Sequence, residues 1–420
     1  MRSFFFTAAA CLLAASTGSL AAERVLIRAE KVYTAPDARA KHPAVIVFKD
    51  GVIEGVGLPS DSLPRGTEFP ECNGGFVTAG FQNSHVHFME AAFYDAARAP
   101  AAKLTQSLAD MLTRYGYTTV FDTGSDQANT FALRGRVQNG EVKGPRIFSV
   151  GLPLYPPDGI PSYIKDLPPQ VLTRLHQPRT PAEAKAAVRA NMAAGADGTK
   201  LFLHTSPSEG MTTRMSPEIA RAAVEETHAH GKLALAHPSS LEAIRVALDV
   251  GVDVLVHTTL GEPAPWDPET LSRMTAQRMS VIPTFKLWSY ELEKGDVPAH
   301  VIERLVGSTL KELASFQAAG GQVLFGTDVG YMHDYDPTAE YELMAKAGMS
   351  SSQILASLTT APAERWKEDK QRGRVDRGFS ADLVVLGGDP FADVKNFANV
   401  KCVFRGGSLI YKAAAPAKAP

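Results

Sequence analysis

Between residues 80 and 368 the apolar positions fall into short dense runs separated by longer stretches with helical spacing. The runs are 81–88, YTTVFDTG at 117–124, PRIFSVG at 145–151, GTKLFL at 198–203, KLALAH at 232–237, VDVLVH at 252–257, MSVIPTF at 279–285 and QVLFGTD at 322–328. Each is short and rich in β-branched or aromatic residues, the signature of a buried strand. The stretches between them carry helix signals: 181–194 with Pro181 near its start and Gly195 just after it, 216–230 with Ser216 as N-cap and Gly231 as stop, and 239–250. Eight strands alternating with helices predict an α/β fold, a (β/α)8 TIM-like barrel. Such a barrel places its chemistry at the C-terminal ends of its strands, which gives a positional test for every candidate residue.

The two ends of the chain differ from this middle. Residues 24–78 read as short strands broken by Lys-Asp-Gly and Asn-Gly-Gly turns, and ADLVVLGGD and VKCVFRGGSLIY near the other end look alike. The stretch 153–180 is proline-rich and long for a strand-to-helix loop, so it is expected to cover the mouth of the barrel. The tail 413–420 reads as disordered.

With 420 residues, 45% of them hydrophobic, the chain is long enough for a barrel and a smaller domain. Its 43 basic and 45 acidic residues give a net charge of −2, no electrostatic case for nucleic acid. Residues 1–22 read as a signal peptide: Arg2, an apolar stretch from Phe4 to Ala15, then small residues around Ser19-Leu20-Ala21-Ala22. A membrane span needs roughly 20 apolar residues, more than this run offers. Cys11 follows Ala8-Ala9-Ala10, a poor context for lipidation. The expected location is therefore periplasmic or secreted, with no membrane partner after signal removal. The mature chain keeps Cys72 and Cys402. They are either two buried thiols or a disulfide that an oxidising compartment would permit.

Several candidate chemical groups stand at strand ends. His85 and His87 are two residues apart in a predicted strand, so both face one side and can meet one ion, and Asn83 shares their parity. The same spacing recurs at His228 and His230, but on a predicted helix, where two residues turn about 200° around the axis and cannot clasp one metal. His237, His257 and Asp328 each close an apolar run, and Lys200 lies on the fourth strand. A polar group at the end of a buried strand is costly unless paired or ligated. Imidazole with carboxylate is the ligand mix for zinc and related divalent ions. A buried lysine has a depressed pKa, and as a cation it would be repelled by two such ions.

These residues resemble the metal-dependent amidohydrolase superfamily: His-x-His on strand one, Lys on four, His on five, His on six and Asp on eight, with β-segments from both chain ends. The segment 215–259 resembles its imidazolonepropionase-like and Xaa-Pro dipeptidase-like branch, and TTAPAERW with GRVDRGFSADLVVLGGDPF resembles the hinge back to the small domain. The resemblance implies a β-sandwich formed by 23–79 and 369–412, flanking a metal-dependent barrel over 80–368. It further implies two divalent ions, zinc foremost, and a CO2-derived carbamate on Lys200 that bridges them and removes the lysine's charge. His85, His87 and Asp328 would hold one ion, and His237 and His257 the other. A metal-bridging hydroxide would attack the carbonyl, with Asp328 taking the proton and delivering it to the leaving nitrogen. One position departs from the pattern: the family usually has Asp where this chain has Asn83, a residue expected beside the ligands rather than among them.

The implied substrate is a small molecule with an amide bond, such as a dipeptide or an N-acyl amino acid. Alternatives are lactone, carboxylester or phosphotriester hydrolysis at the same site, hydrolysis of a cyclic imide or imidazolone, and a non-catalytic binding protein. Homo-oligomerisation stays open. Candidate substrate contacts are His204 beyond Lys200, Tyr331 and His333 beyond Asp328, Tyr155 and Tyr163 in the long loop, and Trp266 and Trp288 after strands six and seven.

Overall fold

The computed structural model describes residues 23–57, 63–165, 167 and 169–414. The expected signal peptide and residues 415–420 of the expected tail lie outside the described residues. The tail does begin in register, since Ala413 N–H donates to the Lys401 carbonyl at 2.8 Å. No helix among the described residues is long and apolar enough to cross a membrane.

Five strands precede the central region: β1 (Val25–Val32), β2 (Ala44–Lys49), β3 (Val52–Val56), β4 (Thr67–Glu68) and β5 (Gly75–Ala79). The eight expected central strands are all present. They are β6 (Phe81–Val86), β7 (Tyr117–Asp122), β8 (Arg146–Ser149) and β9 (Gly198–Phe202), then, after a hairpin of β10 (His204–Ser208) and β11 (Met211–Arg214), β12 (Leu233–His237), β13 (Val254–Val256), β14 (Ser280–Ile282) and β15 (Gln322–Val323). The chain ends with β16 (Leu383–Leu386), β17 (Val400–Arg405) and β18 (Ser408–Lys412).

The central strands pair in parallel, but their ladder is not one closed sheet. It divides into a three-stranded sheet β6-β7-β8 and a five-stranded sheet β15-β14-β13-β12-β9. Isolated bridges span both gaps, Leu154 to Leu201 and Val86 to Val329. The second gap arises because the chain beyond β15 leaves regular strand geometry as it passes β6. Gly326 and Gly330 allow that approach: a Cβ on Gly326 would stand 2.8 Å from His85 Cβ, and one on Gly330, at φ +92°, 1.8 Å from the His87 carbonyl oxygen. Leu235, Val254, Val256, Ile282 and Leu324 fill the interior with Phe121 and Val150. This apolar plug seals one end and leaves the strand C-termini as the open mouth.

The helices match their sequence signals. Pro181–Ala193 is capped by the Thr180 side chain, Pro217–Ala229 by Ser216, and Leu241–Val250 by Ser240, each accepting a backbone N–H of the first turn. His228 and His230 stand at the end of the second of these. His228 Nε2 pairs with Asp253 at 2.7 Å, and the two histidines share no site.

The terminal segments pair into one eight-stranded hydrogen-bonded sheet, in the order β18-β17-β16-β5-β1-β2-β3 with β4 beside β1, so both chain ends contribute to it as expected. The reason is β5, which pairs parallel to β1 and antiparallel to β16 and so joins both chain ends into a single ladder. Of the two readings of the cysteines, the disulfide is the one found. Cys72 and Cys402 are joined, with Cα atoms 5.7 Å apart, inside the apolar layer of this sheet. Only Gly80 separates β5 from β6, so the sheet anchors the strand that carries His85.

Candidate metal centre

The six candidate ligands converge. His85, His87, Lys200, His237, His257 and Asp328 line one cavity of about 480 Å³ at the strand C-termini. Strand parity brings most of them there: in β12, His237 follows Leu235 of the interior plug by two residues. His257 does not obey it. It directly follows Val256 of the plug, so continued pleating would turn it outward, and its φ of +75° re-aims it into the mouth. Asp328, at φ +64°, is likewise turned inward beyond the end of β15.

The imidazoles are oriented from behind. His87 Nδ1 donates to the Gly124 carbonyl at 2.6 Å, and His257 Nδ1 to Thr284 Oγ1 at 2.5 Å. Thr284 itself sits at φ +47°, a strained state for a β-branched residue, with its hydroxyl donating to the Pro283 carbonyl. Both rings therefore turn an unprotonated Nε2 inward. His87 Nε2 lies 3.0 Å and His85 Nε2 3.2 Å from Asp328 Oδ1, and His257 Nε2 3.9 Å from Asp328 Oδ2. The rings of His237 and His257 are 4.7 Å apart.

This donor set fits a divalent cation. Ligand atoms of His85, His257 and Asp328 lie within 4.8 Å of one another. Asp328 Oδ1 is buried with no hydrogen-bond partner, and the Nε2 atoms of His85 and His87 face each other at 3.1 Å. Converging lone pairs beside an unpaired carboxylate oxygen are what an ion between them would satisfy.

The electrostatics favour the neutral ring at three of the four histidines; at His87 burial lowers the pKa but Asp328 and Asp122 outweigh it and raise the value above the ordinary one. Burial lowers the His85 pKa to about 4 and that of His237 to about 3. His257 is likewise pushed well below its ordinary value by burial and by the neighbouring His237 and His85. Burial would raise the Asp328 carboxyl, but His85 and His87 outweigh it and hold the group well below the usual range. Lys200, fully buried, is lowered by desolvation to about 7, against the pull of Asp328 and Asp122.

Asn83 lies beside this set. Its Oδ1 accepts the His85 N–H at 3.1 Å, and its Nδ2 donates to Thr327 Oγ1 at 2.7 Å. The amide thereby ties β6 to the turn that carries Asp328.

The proposed substrate contacts divide. Tyr155, Tyr163, Trp288 and Tyr331 line the cavity, as does much of the long loop, including Ile164, Leu167, Val171 and Leu175. Tyr155 stacks on Phe202 at 4.6 Å, and Phe202 on His237 at 4.9 Å, forming an aromatic wall that ends at a candidate ligand. Trp266 is no contact: it is 1% exposed, packs on Phe316 and donates to Thr259 Oγ1, because the chain after β13 folds back into the helical layer. His204 does not line the cavity either; it opens the β10 hairpin and meets Ser240 Oγ at 2.9 Å. His333 points to solvent, with its side chain 74% exposed beside Glu90.

Sequence reasoning passed over Asp122. This carboxylate closes β7, is fully buried and accepts from Ser125 and Ser149. The rule that singled out Asp328, a polar residue ending an apolar run, applies equally to YTTVFD. It also passed over Glu291, which accepts from Tyr331 at 2.9 Å, and the ion pair of Asp126 with Arg174, all lining the cavity.

Residues 76–410 match the model of the amidohydrolase family. Among curated proteins, the ochratoxinase of Aspergillus niger is 26% identical over 242 residues, covering 54% of this chain and 49% of that protein. The chain thus spans about half the length of the curated relatives it matches. Among solved structures, a Xaa-Pro dipeptidase with bound methionine superposes with a TM-score of 0.77 at 22% identity, over 93% of this chain and 100% of that one. The A. niger ochratoxinase structure gives 0.76 at 20% identity, over 93% and 96%. These likenesses carry the fold, and the family match runs from β5 through every candidate ligand to β18. The chain belongs to the amidohydrolase family.

Proposed function

We propose that this chain is an exported, binuclear metal-dependent hydrolase that cleaves the amide C–N bond of a dipeptide or an N-acyl amino acid. The observation that carries the reading is the convergence of four histidines, one buried lysine and one carboxylate at the strand ends of a single cavity. Family membership and the Xaa-Pro dipeptidase and ochratoxinase neighbours support C–N hydrolysis. The buried disulfide supports an oxidising compartment.

His85, His87 and Asp328 would hold one ion and His237 and His257 the other, with Lys200 between them as a carbamate. A lysine whose pKa falls to about 7 is substantially a free amine at neutral pH, the form that adds CO2. Two zinc ions, when bound, would supply an activated water and polarise the scissile carbonyl. The protein does the rest. Gly124 and Thr284 fix the tautomers of His87 and His257. The long loop and the aromatic wall exclude bulk water. The Asp328 carboxylate accepts the water's proton and passes it to the departing nitrogen, so the amine leaves neutral.

The test is Asp328→Asn, assayed with zinc and bicarbonate on dipeptides and N-acyl amino acids, with lactones and phosphotriesters as controls. The variant should keep its metal and lose turnover by roughly 10²–10⁴-fold. A variant with wild-type rate refutes the role of Asp328. A wild-type enzyme that turns over only the controls refutes the amide reading.

A further inference from the structure

Behind His87 lies a polar cluster that ligand geometry alone does not require. Asp122 ends β7, fully buried, and its two oxygens are both used. Oδ1 accepts from the Ser125 hydroxyl at 2.5 Å and from the Gly124 N–H at 3.3 Å, and Oδ2 accepts from the Ser149 hydroxyl at 2.7 Å. Each donor leads onward. Gly124 supplies, from its next peptide unit, the carbonyl that receives His87 Nδ1 at 2.6 Å. Ser125 Oγ accepts the N–H of Phe88, the residue after His87, at 2.8 Å. Ser149 Oγ, at the end of β8, accepts the Gly151 N–H at 3.0 Å. A buried carboxylate is costly to desolvate, and three donors in a network spanning the ends of β6, β7 and β8 offset that cost in part, burial still holding the Asp122 pKa above its ordinary value.

We propose that Asp122 is a positioning residue for the metal centre: through Gly124 and Ser125 it commits His87 to the tautomer and ring orientation that aim Nε2 at Asp328. Gly124 is central because its φ is +144° and a Cβ there would meet Pro153 at 2.4 Å. The turn 123–125 is thus held by glycine geometry and by Asp122 together, and without the carboxylate it loses the two bonds, from the Gly124 N–H and the Ser125 hydroxyl, that tie it to the end of β7. A ring free to choose tautomers presents a protonated Nε2 part of the time, and that form cannot ligate.

The inference rests on the metal reading above, and the experiment separates the two. Zinc affinity is measured on full-length wild type, Asp122→Asn and Ser125→Ala by competition with a chromogenic chelator, without substrate. The thermal transition of each metal-free protein and the visible spectrum of each cobalt-loaded one are recorded beside it. Asp122→Asn keeps the shape but not the charge. It should weaken zinc roughly 10–100-fold and alter the cobalt spectrum, with the metal-free transition unchanged. Ser125→Ala should shift affinity in the same direction by less. Wild-type affinity in Asp122→Asn overturns the proposal, as does a loss that merely tracks a lowered metal-free transition in both variants. A wild-type protein that binds no zinc overturns the metal reading itself.

Discussion

Reduction of Cys72–Cys402 removes a constraint whose size follows from where the two residues lie. They are 330 positions apart. Closing a loop of that length lowers the entropy of the unfolded chain by about 19 cal/mol/K, or roughly 6 kcal/mol at 25 °C. Residual structure in the unfolded state already restricts the chain, so an effect of about 3–6 kcal/mol is expected. Comparing oxidised with reduced wild type isolates this effect, since both sulfurs stay in place within the apolar layer with Ile27, Phe48, Val77, Leu383 and Phe404. No cavity and no new hydroxyl is introduced, as they would be by Ala or Ser. The assay is a urea titration followed by far-ultraviolet circular dichroism, with thiol titration of the unfolded chain to establish each redox state. The reduced protein should unfold at clearly lower urea. Coincident curves for two verified redox states would refute the argument.

Three further outcomes follow from the site and the core. Lys200→Ala should lose the proposed binuclear centre, and elemental analysis returning two metals per chain regardless would contradict the proposed carbamate bridge. Asn83→Asp restores a charge next to His85 and requires the Thr327 hydroxyl to turn round and donate; zinc affinity should rise roughly tenfold, and an unchanged affinity would show that the charge at this position does not tune the metal. Glu340 is fully buried, and burial raises its pKa to about 7 although the N–H groups of Phe285 and Lys286 favour its charged form. With the folded value above the unfolded one, its contribution to stability is complete below about pH 4.5 and is lost as pH rises through about 7, at up to ~1.4 kcal/mol per pH unit. Glu340→Gln should flatten that slope whatever its effect on absolute stability, and an equal slope in urea titrations between pH 5 and 8 would dismiss Glu340 as its source.

Two features explain why the candidate ligands were legible and their surroundings were not. A histidine or aspartate that ends an apolar run is conspicuous, because a buried polar group needs a partner and the barrel rule says where function sits. Trp266 and Trp288 follow successive strands and look equivalent in sequence, yet one is sealed under Thr259 and Phe316 and the other faces the cavity. Loop direction decided between them, and no local pattern records it.

The sequence by itself determined the eight strands, the helices between them with Ser216 as a cap, the strand ends that carry the candidate ligands, and the contrast between His85–His87 and His228–His230. These depend on periodicity, capping and parity, which act over a few residues. Only the tertiary structure decided that β5 merges both chain ends into one sheet, that Cys72 meets Cys402, that left-handed turns re-aim His257 and Asp328, and that Asp122 stands behind His87. Each joins residues far apart in the chain or breaks the local alternation, and the packing that imposes it exists only once the whole chain is folded.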